Sequence, residues 1–339
     1  GSARAAGAER MVLDGGDRVA LRAYLLAQGW IDDAEVVELV EPAGPGNMNL
    51  VLRVVTARRS LVVKQGRPFV ARYPHLAAPP GRTLVEAEWY ALVGERPDLA
   101  SRLPRLLGVD PASQVLVLSD LGPAADFTGV YTGDRLDTAT LDALVGWLCA
   151  LHRGFHDDDG ARRIENAEMR RLNHEHVFEL PLRPDNGVDL DALTPGLSKL
   201  AEPLRRDRGL RSATSALGAA YFGPGTTLLH GDYYPGSWLK GPGGPFVVDP
   251  EFGFFGPPEF DLGVMLAHLE LSDQPADVAD RALGAYLAEA TAEVDLVWAF
   301  CGVEVIRRLL GVAQLPLSAG LAEKGHLLEV AATRVRKLG

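Results

Sequence analysis

Short apolar runs of β-branched residues occupy the first third of the chain, and apolar positions spaced three and four apart dominate the rest. From Asp17 to Gln28 the spacing of Val19, Leu21, Leu25 and Leu26 predicts an opening amphipathic helix that stops at Gly29. Val36–Val40, Leu50–Val55 and Leu61–Val63 follow as strands punctuated by Gly, Pro, Asn or paired Arg, the pattern of an antiparallel meander. A helix is expected over Thr83–Val93, and another strand over Val115–Leu118. Ser119, Asp120, Leu121, Gly122 and Pro123 close that strand and place a boundary. Beyond it, Leu141, Leu144, Val145, Leu148, Leu151 and Phe155 mark one face of a buried helix. The stretch from Leu180 to Gly209 is rich in Pro, Asp and Arg and reads as a surface helical insertion with one weak amphipathic segment. Thr226–Phe260 alternates short apolar runs with Gly and Pro clusters, so loops and small strands are expected there, with helix again to the end.

This pattern predicts an α+β chain. A small antiparallel-sheet lobe would span 1–118, with residues 1–10 as a tag or frayed extension. A hinge at 119–123 and a mainly helical lobe at 124–339 complete the expected bilobal arrangement. Composition adds little to this picture except by exclusion. With 47% hydrophobic and 23% charged residues the chain has the balance of a folded globular protein. A formal net charge of -11 disfavours nucleic acid as a partner, because such binders carry excess Lys and Arg against phosphates. Cys149 and Cys301 lie in apolar helical runs and read as buried thiols of a reducing compartment. There is no apolar signal segment in the first ten residues and no run of about 18 apolar residues, so a soluble, cytoplasmic protein is expected. A second copy of the chain is left open as a partner.

The chemistry concentrates in two stretches. His230-Gly231-Asp232 is followed, 17 residues after the Asp, by Asp249-Pro250-Glu251, which Phe246, Val247 and Val248 introduce. Phosphoryl transfer needs one carboxylate to orient an attacking hydroxyl and others to hold Mg²⁺ on the nucleotide phosphates. Asp232 therefore reads as the base, and Asp249 and Glu251 as metal ligands. Nearer the N-terminus, Gly44-Pro45-Gly46-Asn47-Met48-Asn49 separates two strands, and Lys64 sits on the second. A glycine-rich turn lets backbone amides approach phosphates, and a strand lysine adds a point charge. Glu86, or alternatively Glu88, is placed to pair with Lys64. Asn173-His174-Glu175-His176 lacks the partners that a zinc site requires. His152 and His156 read as hydrogen-bonded core or helix-end residues. No Gly-X-Ser-X-Gly elbow or Gly-Lys-Ser/Thr loop is present.

These residues resemble the bacterial methylthioribose kinases, within the wider aminoglycoside-phosphotransferase and choline-kinase-like group that shares the protein-kinase fold. The matching pieces are Gly46-Asn47-Met48-Asn49-Leu50, Lys64-Gln65 with Pro68, Ser119-Asp120-Leu121, and His230-Gly231-Asp232 with Gly236-Ser237. Asp249-Pro250-Glu251-Phe252, Phe254, Gly256-Pro257, Phe260-Asp261 and Ile306-Arg307-Arg308 with Gly311 continue them. The resemblance implies ATP between two lobes, with Gly46, Asn47, Asn49, Lys64 and Glu86 around it and adenine at backbone groups of Ser119 and Leu121. It implies Asp232 serving the substrate hydroxyl, Asp249 and Glu251 on Mg²⁺, and Asp261 bracing the loop. His230 and Ser237 give structural support.

On the substrate side the resemblance places Arg307 and Arg308, and Tyr233 and Tyr234 next to Asp232. Adjacent arginines on a helix point about 100° apart, so both serve one site only beside the helix end. The apolar run Leu296–Val305, broken by Glu304, suggests a buried helix on which two charges need anionic partners. Tyr233-Tyr234-Pro235 departs from the Leu-His-Thr usual in the resembled kinases and leaves the substrate open. The expectation is a kinase of a methylthioribose-type sugar. An aminoglycoside or nucleoside-type natural product is the alternative substrate, and a nucleotide-binding pseudokinase the alternative class. Paired arginines suit a neutral polyol or an anion better than a polyamine.

Overall fold

A computed structural model of the chain describes residues 10–44, 48–156 and 164–339. The loop residues Gly46 and Asn47, expected at the nucleotide, lie outside the described residues. The chain divides into two compact units, one ending at Pro123 and the other beginning at Ala124.

In the first unit, helix α1 (Arg18–Ala27) starts at Asp17, whose carboxylate accepts the Ala20 N–H at 2.9 Å and satisfies one of the helix's orphan donors. Strands β1 (Val37–Pro42), β2 (Leu50–Thr56) and β3 (Ser60–Gln65) form the predicted meander, and a small hairpin, β4 (Phe69–Val70) and β5 (Tyr73–Ala77), follows. Helix α2 (Arg82–Val93), a single turn α3 (Pro97–Ala100), β6 (Leu106–Asp110) and β7 (Val115–Ser119) complete the unit. The sheet runs β1-β2-β3-β7-β6, each pair antiparallel. Sequence patterning missed β6 because Gly108 interrupts it. A side chain there would collide with Trp30, and the pairing with β7 slips at this point. Leu61 and Val63 of β3 join the core against α1. Alternation along the strand sends Lys64 to the other face, toward α2.

The second unit opens with a 3-10 turn at Thr128–Thr132 and then α4 (Thr138–Gly154), the predicted buried helix, with Leu141, Leu144, Val145, Leu148 and Leu151 all buried. Full burial of each such side chain is worth about 1.5–3 kcal/mol. Next come α5 (Ala167–His174), a π-helical turn at Glu175–Glu179, a 3-10 turn at Leu180–Leu182, α6 (Leu190–Leu193), α7 (Leu197–Arg206) and α8 (Arg208–Phe222). The expected single amphipathic segment of 180–209 is α7, which buries Leu197 and Ala201. The extra turn α6 is capped by Asp189. Four short strands, β8 (Thr227–Leu228), β9 (Trp238–Gly241), β10 (Gly244–Val247) and β11 (Phe255–Gly256), pair as β8 with β11 and β9 with β10. Helices α9 (Pro258–Leu271), α10 (Val278–Glu289), α11 (Val294–Leu310) and α12 (Leu321–Arg336) finish the chain. Cys149 and Cys301 are buried free thiols. Among the described residues no helix is long and apolar enough to cross a membrane.

Candidate active site

The loop after β8 is built around one buried carboxylate. Asp261, in the first turn of α9, accepts the Gly231 N–H on Oδ1 at 2.9 Å. On Oδ2 it accepts the His230 N–H at 2.8 Å and His152 Nε2 at 3.0 Å. Helix α9 is buried on every side, so a charge within it must be paired. His152 completes that pairing and holds Tyr286 Oη on its other nitrogen at 2.7 Å. Gly231 has φ +86°, and a Cβ there would stand 2.1 Å from the Phe252 carbonyl oxygen. Only glycine lets these two stretches of backbone approach so closely.

His230 ties the loop to the end of β10. Its Nε2 donates to the Val248 carbonyl at 2.8 Å, and its Nδ1 accepts the Asp232 N–H at 3.2 Å. With Nε2 donating and Nδ1 accepting, the tautomer is determined by the bonds. The histidine thus links the residue before Asp249 to the backbone of Asp232. Val248 N–H also donates to the Ser237 carbonyl at 2.9 Å, so the segments carrying Asp232, Ser237 and Asp249 share one hydrogen-bonded frame.

Asp249 has φ +59°, the left-handed region that a non-glycine residue occupies only when its surroundings hold it there. Two residues on, the Glu251 backbone is held by Asn166, whose Nδ2 donates to the Glu251 and Gly253 carbonyls at 2.9 and 3.0 Å. Oxygen donors on a strained loop beyond a strand suit a hard divalent cation. Among the described residues, however, no group of three or more His, Cys, Asp or Glu side chains is assembled to hold a metal. The carboxylates at 232, 249 and 251 therefore form no preassembled three-carboxylate site.

Asp232 faces α11. Its side chain keeps 24% of its surface exposed, and Oδ1 lies 3.8 Å from Arg308 NH2. Burial raises its carboxyl above the ordinary aspartate range, opposed by the Arg308 and Arg307 guanidiniums. Glu304, fully buried, accepts Arg308 Nε at 2.8 Å and His268 Nε2 at 2.9 Å on Oε1, and Arg307 NH1 at 3.1 Å on Oε2. Burial alone would raise Glu304, but the two guanidiniums outweigh it and hold the carboxyl well below the usual range. Burial depresses His268 to about 4, so its imidazole is neutral at neutral pH. Its Nδ1 then accepts the Tyr131 hydroxyl at 2.6 Å.

The two tyrosines after Asp232 part company. Tyr234 lies under the Arg308 guanidinium, 4.9 Å from ring centroid to Cζ. Tyr233 is fully buried, stacks on Trp147 and donates its hydroxyl to the Leu144 carbonyl at 2.8 Å. Its place is behind the loop, where packing takes the ring that sequence reasoning had set toward substrate.

In the first unit, Lys64 Nζ and Glu86 Oε1 are 2.6 Å apart and both side chains are buried. The Asn49 side-chain oxygen accepts a hydrogen bond from Arg82 Nε at 2.6 Å, so its amide braces the loop. The same fully buried Arg82 also donates to the Arg67 and Pro79 carbonyls at 2.6 and 2.7 Å. Ser119 uses its N–H and its hydroxyl oxygen on the Arg105 backbone. Arg53 pairs with Asp120 at 2.7 Å and donates to the Gly122 carbonyl at 3.0 Å, holding the segment around Leu121.

Sequence reasoning passed over Tyr131, His268, Asn166, Arg82 and Arg53, and took Glu304 only as a break in an apolar run. The spacing of Glu304, Arg307 and Arg308 at i, i+3 and i+4 was the available signal for that cluster. The others depend on partners about 33 to 137 residues away and left none.

A family model described as "Phosphotransferase enzyme family" matches residues 40–297. The methylthioribose kinase of Erwinia tasmaniensis is 29% identical over 267 residues, which are 74% of this chain and 64% of that protein. The methylthioribose kinase of Pectobacterium atrosepticum is 24% identical over 376 aligned positions, covering 92% and 91%. Among solved structures, a choline kinase from Streptococcus pneumoniae gives a TM-score of 0.53 at 14% identity, covering 94% of this chain and 98% of that one. An aminoglycoside phosphotransferase from Alicyclobacillus acidocaldarius gives 0.54 at 10%, covering 98% and 96%. These structures establish the protein-kinase-like α+β fold, with the antiparallel five-stranded sheet first and the helical part after it. With the model spanning most of the chain and the braced His230-Gly231-Asp232 loop inside it, the chain belongs to the phosphotransferase enzyme family.

Proposed function

We propose that the protein is a small-molecule kinase that transfers the γ-phosphate of ATP, with magnesium, to a hydroxyl of a sugar-like metabolite of the methylthioribose type, in the cytoplasm. The observation that carries this reading is Asp232: a carboxylate on a loop braced by Asp261, partly open to solvent and faced by Arg308. Asp232 accepts or orients the proton of the attacking hydroxyl. Burial raises its basicity for that role, while Arg308 keeps the anion available. Lys64, held by Glu86, contributes positive charge to the nucleotide phosphates, and the backbone around Ser119 and Leu121 contributes to adenine. Asp249 and Glu251 would hold the magnesium, which when bound screens the phosphate charge. Tyr234, its ring against Arg308, and the arginine pair contribute to the acceptor's surroundings.

ADP release measured against methylthioribose, other pentose derivatives, nucleosides and aminoglycosides tests the assignment. Turnover is expected with a neutral sugar. Preferred turnover of a polyamine antibiotic would move the substrate to that class. ATP binding with no phosphorylated acceptor, and a biological effect untouched by Asp232→Asn, would replace the enzyme by a nucleotide-binding regulator.

A further inference from the structure

We infer that Glu304 is a positioning residue for phosphoryl transfer, acting through Arg308 on Asp232. The inference rests on the reading of Asp232 as the base. Arg308 has one flexible stem and five donors, so something must decide where its guanidinium points. Glu304 does so from one helical turn earlier on α11, taking Arg308 Nε at 2.8 Å and leaving the NH2 end toward Asp232 Oδ1 at 3.8 Å. Tyr234 closes one face of the guanidinium, and the Ala313 carbonyl accepts from NH1 at 3.3 Å.

Glu304 is itself held from behind. His268 Nε2 donates to it at 2.9 Å, and the ring is held in that tautomer because Nδ1 accepts the Tyr131 hydroxyl. Tyr131, His268 and Glu304 are fully buried and come from the 3-10 turn at Thr128–Thr132, α9 and α11.

The charge pattern agrees with this role. Arg307 and Arg308 bring two positive charges into a buried region, and Glu304 and Asp232 bring two negative ones. Glu304 spans both arginines, while Asp232 meets only the far end of Arg308. The base thus receives a partner whose other side is already neutralised, close enough to orient the carboxylate and too far for a tight bidentate pair that would occupy it.

A cycle of variants tests the inference, read by ADP release with methylthioribose as acceptor and, in parallel, with water alone. Glu304→Gln is expected to lower kcat by about 10- to 100-fold, the scale of a misplaced catalytic group, with KM for ATP unchanged within about twofold. Glu304→Asp should recover part of the loss. Because the inferred route to Asp232 runs through Arg308, replacing Glu304 in an Arg308→Met background should cost far less than in the wild type, leaving only what its pair with Arg307 contributes.

Multiplying losses in the double variant, or a folded Glu304→Gln protein with wild-type kcat, overturns the inference. Should Glu304→Gln alone fail to fold, the double variant removes one charge of each sign and gives the same comparison against Arg308→Met. Asp232→Asn run alongside separates the two readings. Its retaining near wild-type turnover removes the base assignment itself, whereas a dead Asp232→Asn with additive Glu304 effects removes only the positioning role.

Discussion

Replacing Asp261 by Asn removes one oxygen from the carboxylate that braces the loop carrying Asp232. Three donors converge on it: the amides of His230 and Gly231 and the imidazole Nε2 of His152, all within 3.0 Å. An asparagine has one acceptor oxygen and one NH2. Turned toward His230 and His152, it points N–H at the Gly231 N–H; turned the other way, it opposes two donors. At least one buried donor loses its partner, and the rest lose a charged acceptor. At about 1.5–3 kcal/mol for each hydrogen bond to a charged group, the change costs roughly 3–5 kcal/mol. For a unit of this size that lowers the melting temperature by roughly 6–20 °C. Thermal unfolding followed by circular dichroism, with ADP release measured well below the transition, reads both consequences. The folded fraction should also turn over at least about 10-fold more slowly, because the loop holding Asp232 loses its brace. A variant with wild-type melting temperature and turnover would refute the bracing argument.

Four further outcomes are expected. Gly231→Ala forces a Cβ against the Phe252 carbonyl in a left-handed conformation, and should cost about 2–5 kcal/mol in unfolding titrations, from the left-handed penalty plus overpacking. Asp232→Asn should reduce kcat by about 10²–10⁴-fold while leaving ATP affinity, measured by calorimetry, nearly unchanged. The acid limb of kcat against pH should lie above the ordinary aspartate value of about 4, because burial raises the Asp232 pKa and the base must be ionised. A limb at or below that value would contradict the burial argument. His268 is depressed to about 4 from about 6.5, so the unfolded chain binds its proton first as pH falls. Its contribution to stability is therefore complete above about pH 6.5 and lost toward pH 4, a slope that His268→Gln should flatten in melting experiments.

Local spacing already carried the helix capped at Asp17, the meander of β1 to β3 and the buried face of α4, because period and turn chemistry act within a few residues. The α+β class was legible for the same reason, and the proposed catalytic stretches could at least be picked out, since His230-Gly231-Asp232 and Asp249-Pro250-Glu251 are contiguous and their order survives in the linear chain. What each side chain does there was not. Asn49 points to Arg82, Tyr233 packs on Trp147, and Tyr131, His268 and Glu304 meet from a turn and two helices. Such assignments depend on contacts between residues far apart in sequence, and on burial, which turns an ordinary glutamate or histidine into a group that must find a partner. Only the tertiary structure decides which partner that is.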